Sequence, residues 1–397
     1  MKVGKPAIDI ENDEMVISAP VEWNGGKDRI WFRCDKKFAP MASPRSDAFL
    51  LAMLIPAMYR GEDLHVEGDV SPKLLVTTRG DFQEICRLSM HELKRISVYA
   101  DSISVKASLA DGVMASFSGG IDSYCTIIDY FAHPPCAEFK ITHLAFNNLN
   151  GHGKKGGPVF DQRRRDVMVC AERLGLPVIS FASNIEDFFP PGRYAHSHPV
   201  RHQAAAMTLQ RGIGRFLFSS GLYFTDVRVR PNRSMNFAEC LLTSFMSTES
   251  FEMMVVGNQY TRVQKTLKIG EYEPSHDTLD VCVTPFQRRA ARNCGKCAKC
   301  VRTLLTLDIA GYLPAFERNF DMPQYRSARL REIAKAALAN DPFIREIAQL
   351  AEEKNYAFST QEKAALKLTQ APLIGPLAQY AYRQSQNLRG LEIERRP

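Results

Sequence analysis

The hydrophobic pattern of the first hundred residues mixes short strand-like runs with one helical stretch. Residues 29–33 and 74–78 are rich in β-forming side chains, and residues 46–59 carry apolar side chains at helical spacing. Residues 61–72 contain several glycine, aspartate and proline residues, which predicts a turn-rich connection. We therefore predict a small α+β unit over residues 1–108.

From residue 113 onward, apolar strands alternate with helices. The predicted strands are residues 113–117, 142–146, 177–181 and 215–218, and the predicted helices are residues 161–174 and 199–212. Such alternation is typical of βαβ units that build a parallel sheet. The predicted fold class is therefore α/β, with a parallel-sheet core over residues 109–310.

The last part of the chain is predicted to be helical. Residues 330–338, 344–353 and 360–368 carry apolar side chains at intervals of three and four residues. The polar residues from 383 onward are expected to fray. We predict a helical extension over residues 311–397.

Composition narrows the class of protein. Of the 397 residues, 45% are hydrophobic and 24% are charged, as in ordinary soluble globular proteins. The sequence shows no charged and then apolar leader and no apolar run of the roughly 18–20 residues that a membrane span requires. A cytoplasmic location without a membrane partner is expected. The net charge of +7 would attract anions, of which ATP is one.

The strongest local motif lies between the strand predicted to end at Phe117 and the helix that follows. It reads Ser118, Gly119, Gly120, Ile121, Asp122 and Ser123. Adjacent glycines allow a tight turn close to a phosphate, and a helix N-terminus favours anions. The motif spells neither a Walker P-loop nor a dinucleotide-binding loop. A turn that serves packing alone is the alternative.

This hexad resembles the PP-loop of the N-type ATP pyrophosphatases, which include asparagine, GMP and NAD synthetases, tRNA-lysidine synthetase and 7-cyano-7-deazaguanine synthase. The resemblance implies a PP-loop core in which Ser118, Gly119, Gly120 and Ser123 hold the pyrophosphate end of ATP. It further implies that Asp122 positions the loop or a Mg²⁺ ion.

A second motif consists of closely spaced cysteines. Its members are Cys282, Cys294, Cys297 and Cys300. Four thiolates suffice for a tetrahedral Zn²⁺ site, and Gly295 gives the backbone freedom that a knuckle turn needs. An iron–sulfur cluster accepts the same ligands and is the alternative metal, while buried inert thiols are the alternative without metal. Residues 279–283, which include the first cysteine, are predicted to form a strand.

The pattern Cys-Gly-x-Cys-x-x-Cys, followed by Arg302, resembles the zinc site of 7-cyano-7-deazaguanine synthases, in which an upstream cysteine completes the set. The chain departs from those enzymes in a longer gap between its first two cysteines, an added amino-terminal unit and an added helical tail. Its other cysteines are predicted to be small core residues. These are Cys34, Cys86, Cys125, Cys136, Cys170 and Cys240.

Residues directly after the predicted strands are further candidates, because ligands of parallel α/β proteins bind at the carboxyl ends of strands. They are Asn147, Asn148, Ser183, Ser219 and Ser220. The resemblance places adenine near Asn147 and Asn148, and turn-forming amides are the alternative.

The resemblance also places Arg262 and Lys265 near the nucleotide as catalytic candidates, with the lysine stabilising a leaving pyrophosphate. A solvated helix face is the alternative. Residues 150–158, which are basic and rich in glycine, are interpreted either as a loop over the phosphates or as a surface loop. The spacing of three histidines does not suit a metal site on one helical face, so capping or substrate contact is predicted. They are His196, His198 and His202.

These motifs together imply an ATP-dependent ligase that forms AMP. An oxygen of a carboxyl or carbonyl acceptor, carried by a small molecule or a protein, would attack the α-phosphorus of Mg-ATP, and an amine or ammonia would then displace AMP. If the resemblance extends to the substrate, the acceptor is a carboxylated deazapurine, which becomes an amide and then a nitrile.

Two other functions stay open. A tRNA-thiolating sulfurtransferase would require an RNA-binding domain and a denser basic patch than Arg163, Arg164 and Arg165 supply, so tRNA is not a favoured partner. A nucleotide-binding regulatory protein without turnover would keep the same loop. A homodimer is compatible with the sequence.

Overall fold

The structure is a computed structural model, and it describes residues 1–105, 108–149, 157–231, 234–283, 291–339, 341–368 and 380. The chain forms two compact units. The first comprises Met1–Ser118 and Asp122–Gln259, and the second comprises Gly119–Ile121 and the described chain from Tyr260 onward. These units are defined by contacts between residues in space, whereas the three segments predicted from the sequence are defined by composition and by the pattern of predicted elements. The division at residues 108 and 310 therefore stays a prediction.

The described strands lie in the first unit. In chain order they are β1 (Lys2–Val3), β2 (Ala7–Glu11), β3 (Glu14–Trp23), β4 (Gly26–Asp35), β5 (Leu64–Val70), β6 (Val98–Ile103), β7 (Gly112–Ser116), β8 (His143–Ala145), β9 (Val178–Ile179), β10 (Ala182–Ser183), β11 (Ile213–Ser219) and β12 (Glu252–Val256).

The helices that begin before Tyr260 accompany these strands. They are α1 (Asp47–Arg60), α2 (Pro72–Arg79), α3 (Asp81–Ser89), α4 (Ile121–Ile127), α5 (Gly157–Leu174), α6 (His198–Met207) and α7 (Glu239–Leu242).

A five-stranded sheet has the order β12-β11-β7-β8-β9. Each neighbouring pair in it is parallel. Because the helices α4, α5 and α6 lie between consecutive strands in the chain, the sheet is built from βαβ units, as the sequence predicts. The α/β class is therefore confirmed. The carboxyl ends of β7, β8, β11 and β12 meet at one edge of this sheet, which positions the residues that follow them.

A seven-stranded mixed sheet completes the first unit. Its order is β10-β4-β3-β1-β5-β6, with β2 paired to β3. β3 and β4 form an antiparallel hairpin that closes at the pair Trp23 and Gly26. The two residues between them, Asn24 and Gly25, favour such a tight hairpin turn, and Gly25 has φ of 95°.

Two sequence predictions about this sheet are wrong. Residues 61–72 were expected to be a turn-rich connection, but Leu64–Val70 is strand β5. Gly68, with φ of 86°, lies at a register shift of that strand, so the glycine marks a bulge and not a loop. Residues 74–78 were expected to be β-rich, but Pro72–Arg79 is helix α2, with proline at its first position.

Helix α1 is the centre of the hydrophobic core of the first unit. It confirms the helix predicted over residues 46–59, and its residues 47–58 are all buried. A helix that is apolar on every side requires packing partners on every side. α6 and β5 are among the elements that pack on it.

A buried carboxylate fixes the start of α1. Asp47 is fully buried, and it accepts hydrogen bonds from Ser71 N at 2.6 Å and from Arg45 Nε at 2.7 Å. Gln210 Nε2 also donates a hydrogen bond of 3.4 Å to Asp47 Oδ2. A buried charge needs such compensation, so Asp47 ties the start of α1 to the segments before α2 and after α6.

The second unit is helical in its described part. Its helices are α8 (Arg262–Gly270), α9 (Ala298–Ile309), α10 (Leu313–Phe316), α11 (Met322–Leu338), α12 (Pro342–Glu353) and α13 (Thr360–Leu368). These confirm the helices predicted over residues 330–338, 344–353 and 360–368. Their core includes Val263, Leu305, Ile333 and Ile347. None of the helices in the described ranges combines the length and the apolar character that crossing a membrane requires.

We expect Asp47→Ala to lower the free energy of unfolding of the first unit by about 3–5 kcal/mol, because it leaves the Arg45 guanidinium, whose side chain is only 11% exposed, without its carboxylate. Urea denaturation followed by the fluorescence of Trp23 and Trp31 measures this effect. Asp13→Ala is the matched control, since Asp13 pairs with Lys36 at the surface and exposed ion pairs contribute little. Equal midpoints for the two variants would contradict the role of Asp47.

Candidate functional site

The glycine-rich loop connects β7 to α4, as the sequence predicts. Gly119 adopts φ of 73°, a left-handed conformation that favours glycine. The helix begins at Ile121, inside the motif, and continues through a π-helical turn over Ile128–Ala132. Ser118 is exposed, whereas Ser123 is only 4% exposed. The motif therefore forms a turn that ends in the first residues of a helix, the local geometry that anion binding requires.

Asp280 holds the backbone of this loop. Its amide N donates a hydrogen bond of 2.8 Å to Gly119 O, and both residues belong to the second unit. The side-chain Oδ1 of the same aspartate accepts a hydrogen bond of 3.1 Å from Cys282 N. The loop is thus linked through one residue to the first cysteine of the second motif.

The four predicted cysteines converge in the second unit. The sulfur atoms of Cys282, Cys294, Cys297 and Cys300 all lie within 4.8 Å of one another. The Sγ–Sγ distance is 4.0 Å between Cys282 and Cys297 and 3.4 Å between Cys297 and Cys300. Tetrahedral Zn²⁺ with bonds of about 2.3 Å would separate its sulfur ligands by about 3.8 Å. The cluster therefore fits a metal ion, either Zn²⁺ or an iron–sulfur cluster.

The raised pKa values of these thiols also favour a metal site. Hydrogen bonding to Cys282 and then to Cys297 raises the pKa of the Cys300 thiol far above its usual value, and burial raises it further. The pKa of Cys297 is raised too, first by its hydrogen bond with Cys282. Thiols this close and buried oppose one another's ionisation, and a bound cation reverses that effect. None of the ten cysteines forms a disulfide.

Local structure brings the last three cysteines together. Gly295, between the first two of them, has φ of 68°, and a Cβ atom there would lie 2.1 Å from Asp321 O. Cys297 precedes α9, and Cys300 lies in the first turn of that helix. The knuckle predicted from the sequence is therefore present, and only glycine fits at its turn.

The segment that carries Cys282 is not a strand, so the strand predicted over residues 279–283 is wrong. Hydrogen bonds from side-chain amides hold this segment, where a strand would have backbone hydrogen bonds to a neighbouring strand. Asn293, which is fully buried, donates to Leu279 O at 2.7 Å and accepts from Val281 N at 2.9 Å. Asn319 Nδ2 donates to the same carbonyl at 2.6 Å. The sequence analysis missed Asn293, because only the folded structure shows that its amide reaches residues 279 and 281.

Three of the candidates after the predicted strands lie at the carboxyl edge of the parallel sheet with their side chains engaged. Asn147 Nδ2 lies 3.0 Å from His202 Nδ1. Ser219 Oγ lies 2.8 Å from Thr126 Oγ1 in α4. Ser220 follows β11 and is fully buried. The adenine contact expected at Asn147 and its neighbour Asn148 stays a prediction.

Ser183 does not belong to this edge. It lies in β10 of the mixed sheet, and its Oγ donates a hydrogen bond of 2.6 Å to Trp31 O. Its hydroxyl therefore serves the junction between β10 and β4.

Helix α8 carries the two cationic candidates of the second unit. A capping box formed by Thr261 and Gln264 begins the helix. The Arg262 guanidinium lies 5.7 Å from the ring of Phe343. Lys265 is only 1% exposed, so a solvated helix face does not describe it. Burying the ammonium group of a lysine costs free energy unless anions or polar groups surround it. The catalytic role of Lys265 stays a prediction.

The three histidines lie at the start of α6. His196 ends a 3₁₀ turn, His198 is the first residue of the helix, and His202 follows one turn later. His198 and His202 both contact the ring of Phe218. Sequence reasoning did not connect them with Glu239, which the structure places 3.7 Å from His198.

The basic, glycine-rich residues 150–158, which the sequence suggested as a loop over the phosphates or a surface loop, lie largely outside the residues that the structure describes.

We expect Gly295→Ala to destabilise the second unit more than Gly311→Ala does. Both glycines have positive φ, which costs alanine about 1–2 kcal/mol, but only Gly295 would also push a Cβ atom into Asp321 O. Thermal denaturation followed by circular dichroism compares the two variants. Equal losses of stability would show that the knuckle turn has room for a side chain.

Comparisons of the chain with protein-family models, with curated proteins and with solved structures found no match. Inferences about function therefore rest on the loop, the thiol cluster and the strand-end residues described above.

Proposed function

We propose that the protein is an ATP-dependent ligase that forms AMP, with a PP-loop at residues 118–123. The observation that carries the proposal is the placement of the complete hexad at the junction of a strand of a parallel sheet and a helix, with Gly119 in a left-handed turn. That placement supports a site for the pyrophosphate end of Mg-ATP.

The proposed reaction needs no nucleophilic side chain. An oxygen of a carboxyl or carbonyl acceptor attacks the α-phosphorus, and pyrophosphate leaves with the electrons of the bond that breaks. An amine then attacks the activated carbon, and AMP leaves. Loop amides stabilise the charge on the phosphates, Asp122 orients the loop or the magnesium ion, and Lys265 and Arg262 compensate the leaving pyrophosphate.

The thiol cluster has a structural role in this proposal. Four cysteine ligands complete a tetrahedral zinc site and leave no position for a substrate, as in closed structural sites. The bound metal would join the Cys282 segment to the knuckle and to α9. Since Asp280 connects that segment to Gly119, the cluster stabilises the backbone on which the loop depends.

We expect the protein to convert α-labelled Mg-ATP to AMP in the presence of one acceptor from a panel of carboxylated deazapurines, amino acids and bulk tRNA. Chromatography of the labelled products separates AMP from ADP. Asp122→Ala should lower AMP formation at least about 100-fold, because transition-state electrostatics at such loops contribute several kcal/mol.

Asp111→Ala is the matched control, because Asp111 is exposed and precedes the amino end of β7, away from the loop. Its rate should equal that of the unaltered protein. Release of ADP in place of AMP, or full activity in Asp122→Ala, would overturn the proposal. Tight ATP binding without AMP from any acceptor would favour a regulatory protein.

A further inference from the structure

The segment from Leu279 to Cys282 is bonded both to the thiol cluster and to the glycine loop. Cys282 supplies one of the four thiols, and Asp280 N donates a hydrogen bond of 2.8 Å to Gly119 O. All of these residues belong to the second unit. The position of Asp280 therefore decides whether Gly119 O has this donor.

The side-chain amide of Asn293 holds the two residues that flank Asp280. Its Nδ2 donates to Leu279 O at 2.7 Å, and its Oδ1 accepts from Val281 N at 2.9 Å. Asn293 is fully buried, so water cannot replace these bonds if they are lost. One side chain thus fixes the backbone on both sides of the residue that donates to Gly119.

The position of Asn293 depends in turn on the knuckle. Asn293 directly precedes Cys294, and both its backbone N and its Nδ2 donate to Asn319 O at 3.1 Å. Its own carbonyl accepts a hydrogen bond of 3.0 Å from the N of Asp321, the residue that lies against Gly295. The asparagine is therefore part of the turn that carries the thiols.

The hydrogen bond from Asp280 also fixes a peptide plane of the glycine loop. The C=O of Gly119 and the N–H of Gly120 belong to one planar trans peptide and point in opposite directions. Because a glycine has no Cβ, little steric hindrance opposes rotation of this plane. Holding Gly119 O therefore sets the direction of the next amide in the loop that is proposed to bind ATP.

We propose that Asn293 is a positioning residue that couples the thiol cluster to ATP binding. This inference rests on the proposed function. With a metal ion bound at the four cysteines, the knuckle and the Cys282 segment are cross-linked, and Asn293 keeps Asp280 against Gly119. Without the metal the two segments separate more easily, the peptide plane of Gly119 loses its support, and ATP binds more weakly. The metal centre thus regulates the loop in addition to stabilising the fold.

Such coupling is reciprocal. If metal binding raises the affinity for ATP by a given factor, ATP raises the affinity for the metal by the same factor. Coupling between two sites typically amounts to a factor of about 5–150, so we expect a change of about tenfold or more in each direction. A metal that only stabilises the fold would leave the ATP affinity of the folded protein unchanged.

Isothermal titration calorimetry with Mg-ATP, without any acceptor, measures the coupling. The zinc-loaded protein is compared with protein from which a zinc-selective chelator has removed the metal, the chelator having then been removed as well. Circular dichroism at the same temperature establishes that both forms are folded. We expect the Kd for ATP to rise about tenfold or more when the metal is removed. Competition with a zinc-binding dye should show the same factor in zinc affinity with and without saturating Mg-ATP.

Asn293→Ala tests the route of the coupling. With zinc bound, its Kd for ATP should equal that of the metal-free unaltered protein, and removal of zinc should change it little. Thr306→Ala is the matched control, because it removes a buried side-chain hydrogen bond of 2.9 Å to Arg302 O within α9. It should lower stability but keep the full effect of the metal. Should Asn293→Ala fail to fold, Asn319→Ala removes only one side-chain bond to residue 279 and should raise the Kd of the zinc-loaded protein about threefold or more.

Hydrogen exchange at the Asp280 amide tests the link without ATP. This amide donates to Gly119 O, so NMR should show exchange about tenfold faster or more after metal removal and in Asn293→Ala. Unchanged exchange, equal ATP affinity with and without zinc, or a full metal effect in Asn293→Ala would each overturn the coupling and leave the ligase in place. Faster exchange in a protein that binds no ATP would remove the proposed function and keep the link between the two segments.

Discussion

The convergence of four thiols, three buried and one half-buried, imposes the strongest constraint on the second unit. Cys282, Cys294, Cys297 and Cys300 lie within 4.8 Å of one another, although ionised thiols repel and protonated thiols bind each other weakly. A metal ion turns this arrangement into a cross-link between two chain segments. The backbone around the cluster is already shaped for it, by the left-handed Gly295 and by the buried amide of Asn293. Through Asp280 the same constraint reaches Gly119 in the glycine loop.

Features that depend on neighbours in the sequence could be predicted well. Three features can be recognised within short stretches of sequence: the hexad of the loop, the three-residue spacing of the last cysteines and the strand–helix alternation of the parallel sheet. Helices such as α12 and α13 can be recognised in the same way, because a helix forms from contacts within its own turns. The knuckle was predictable for the same reason, since glycine between two close cysteines signals a left-handed turn.

Features that depend on distant partners could not be predicted. The strand β5 contains a glycine and an aspartate, which are typical of turns, and only pairing with β1 and β6 makes it a strand. Residues 279–283 look like a strand, but the amide of Asn293 replaces the ladder. The pairing of His198 with Glu239 joins α6 to α7 across a stretch of chain that gives no local signal. Tertiary contact overrides propensity in each case.

Metal analysis combined with X-ray absorption spectroscopy of the purified protein tests the thiol cluster most directly. We expect one zinc ion per chain, bound by four sulfur atoms at about 2.3 Å. Removal of the metal by a chelator should lower the melting temperature of the second unit, because the cross-link is lost. A protein that is purified without zinc or iron, and whose melting temperature is unchanged by the chelator, would contradict a metal centre at these four cysteines.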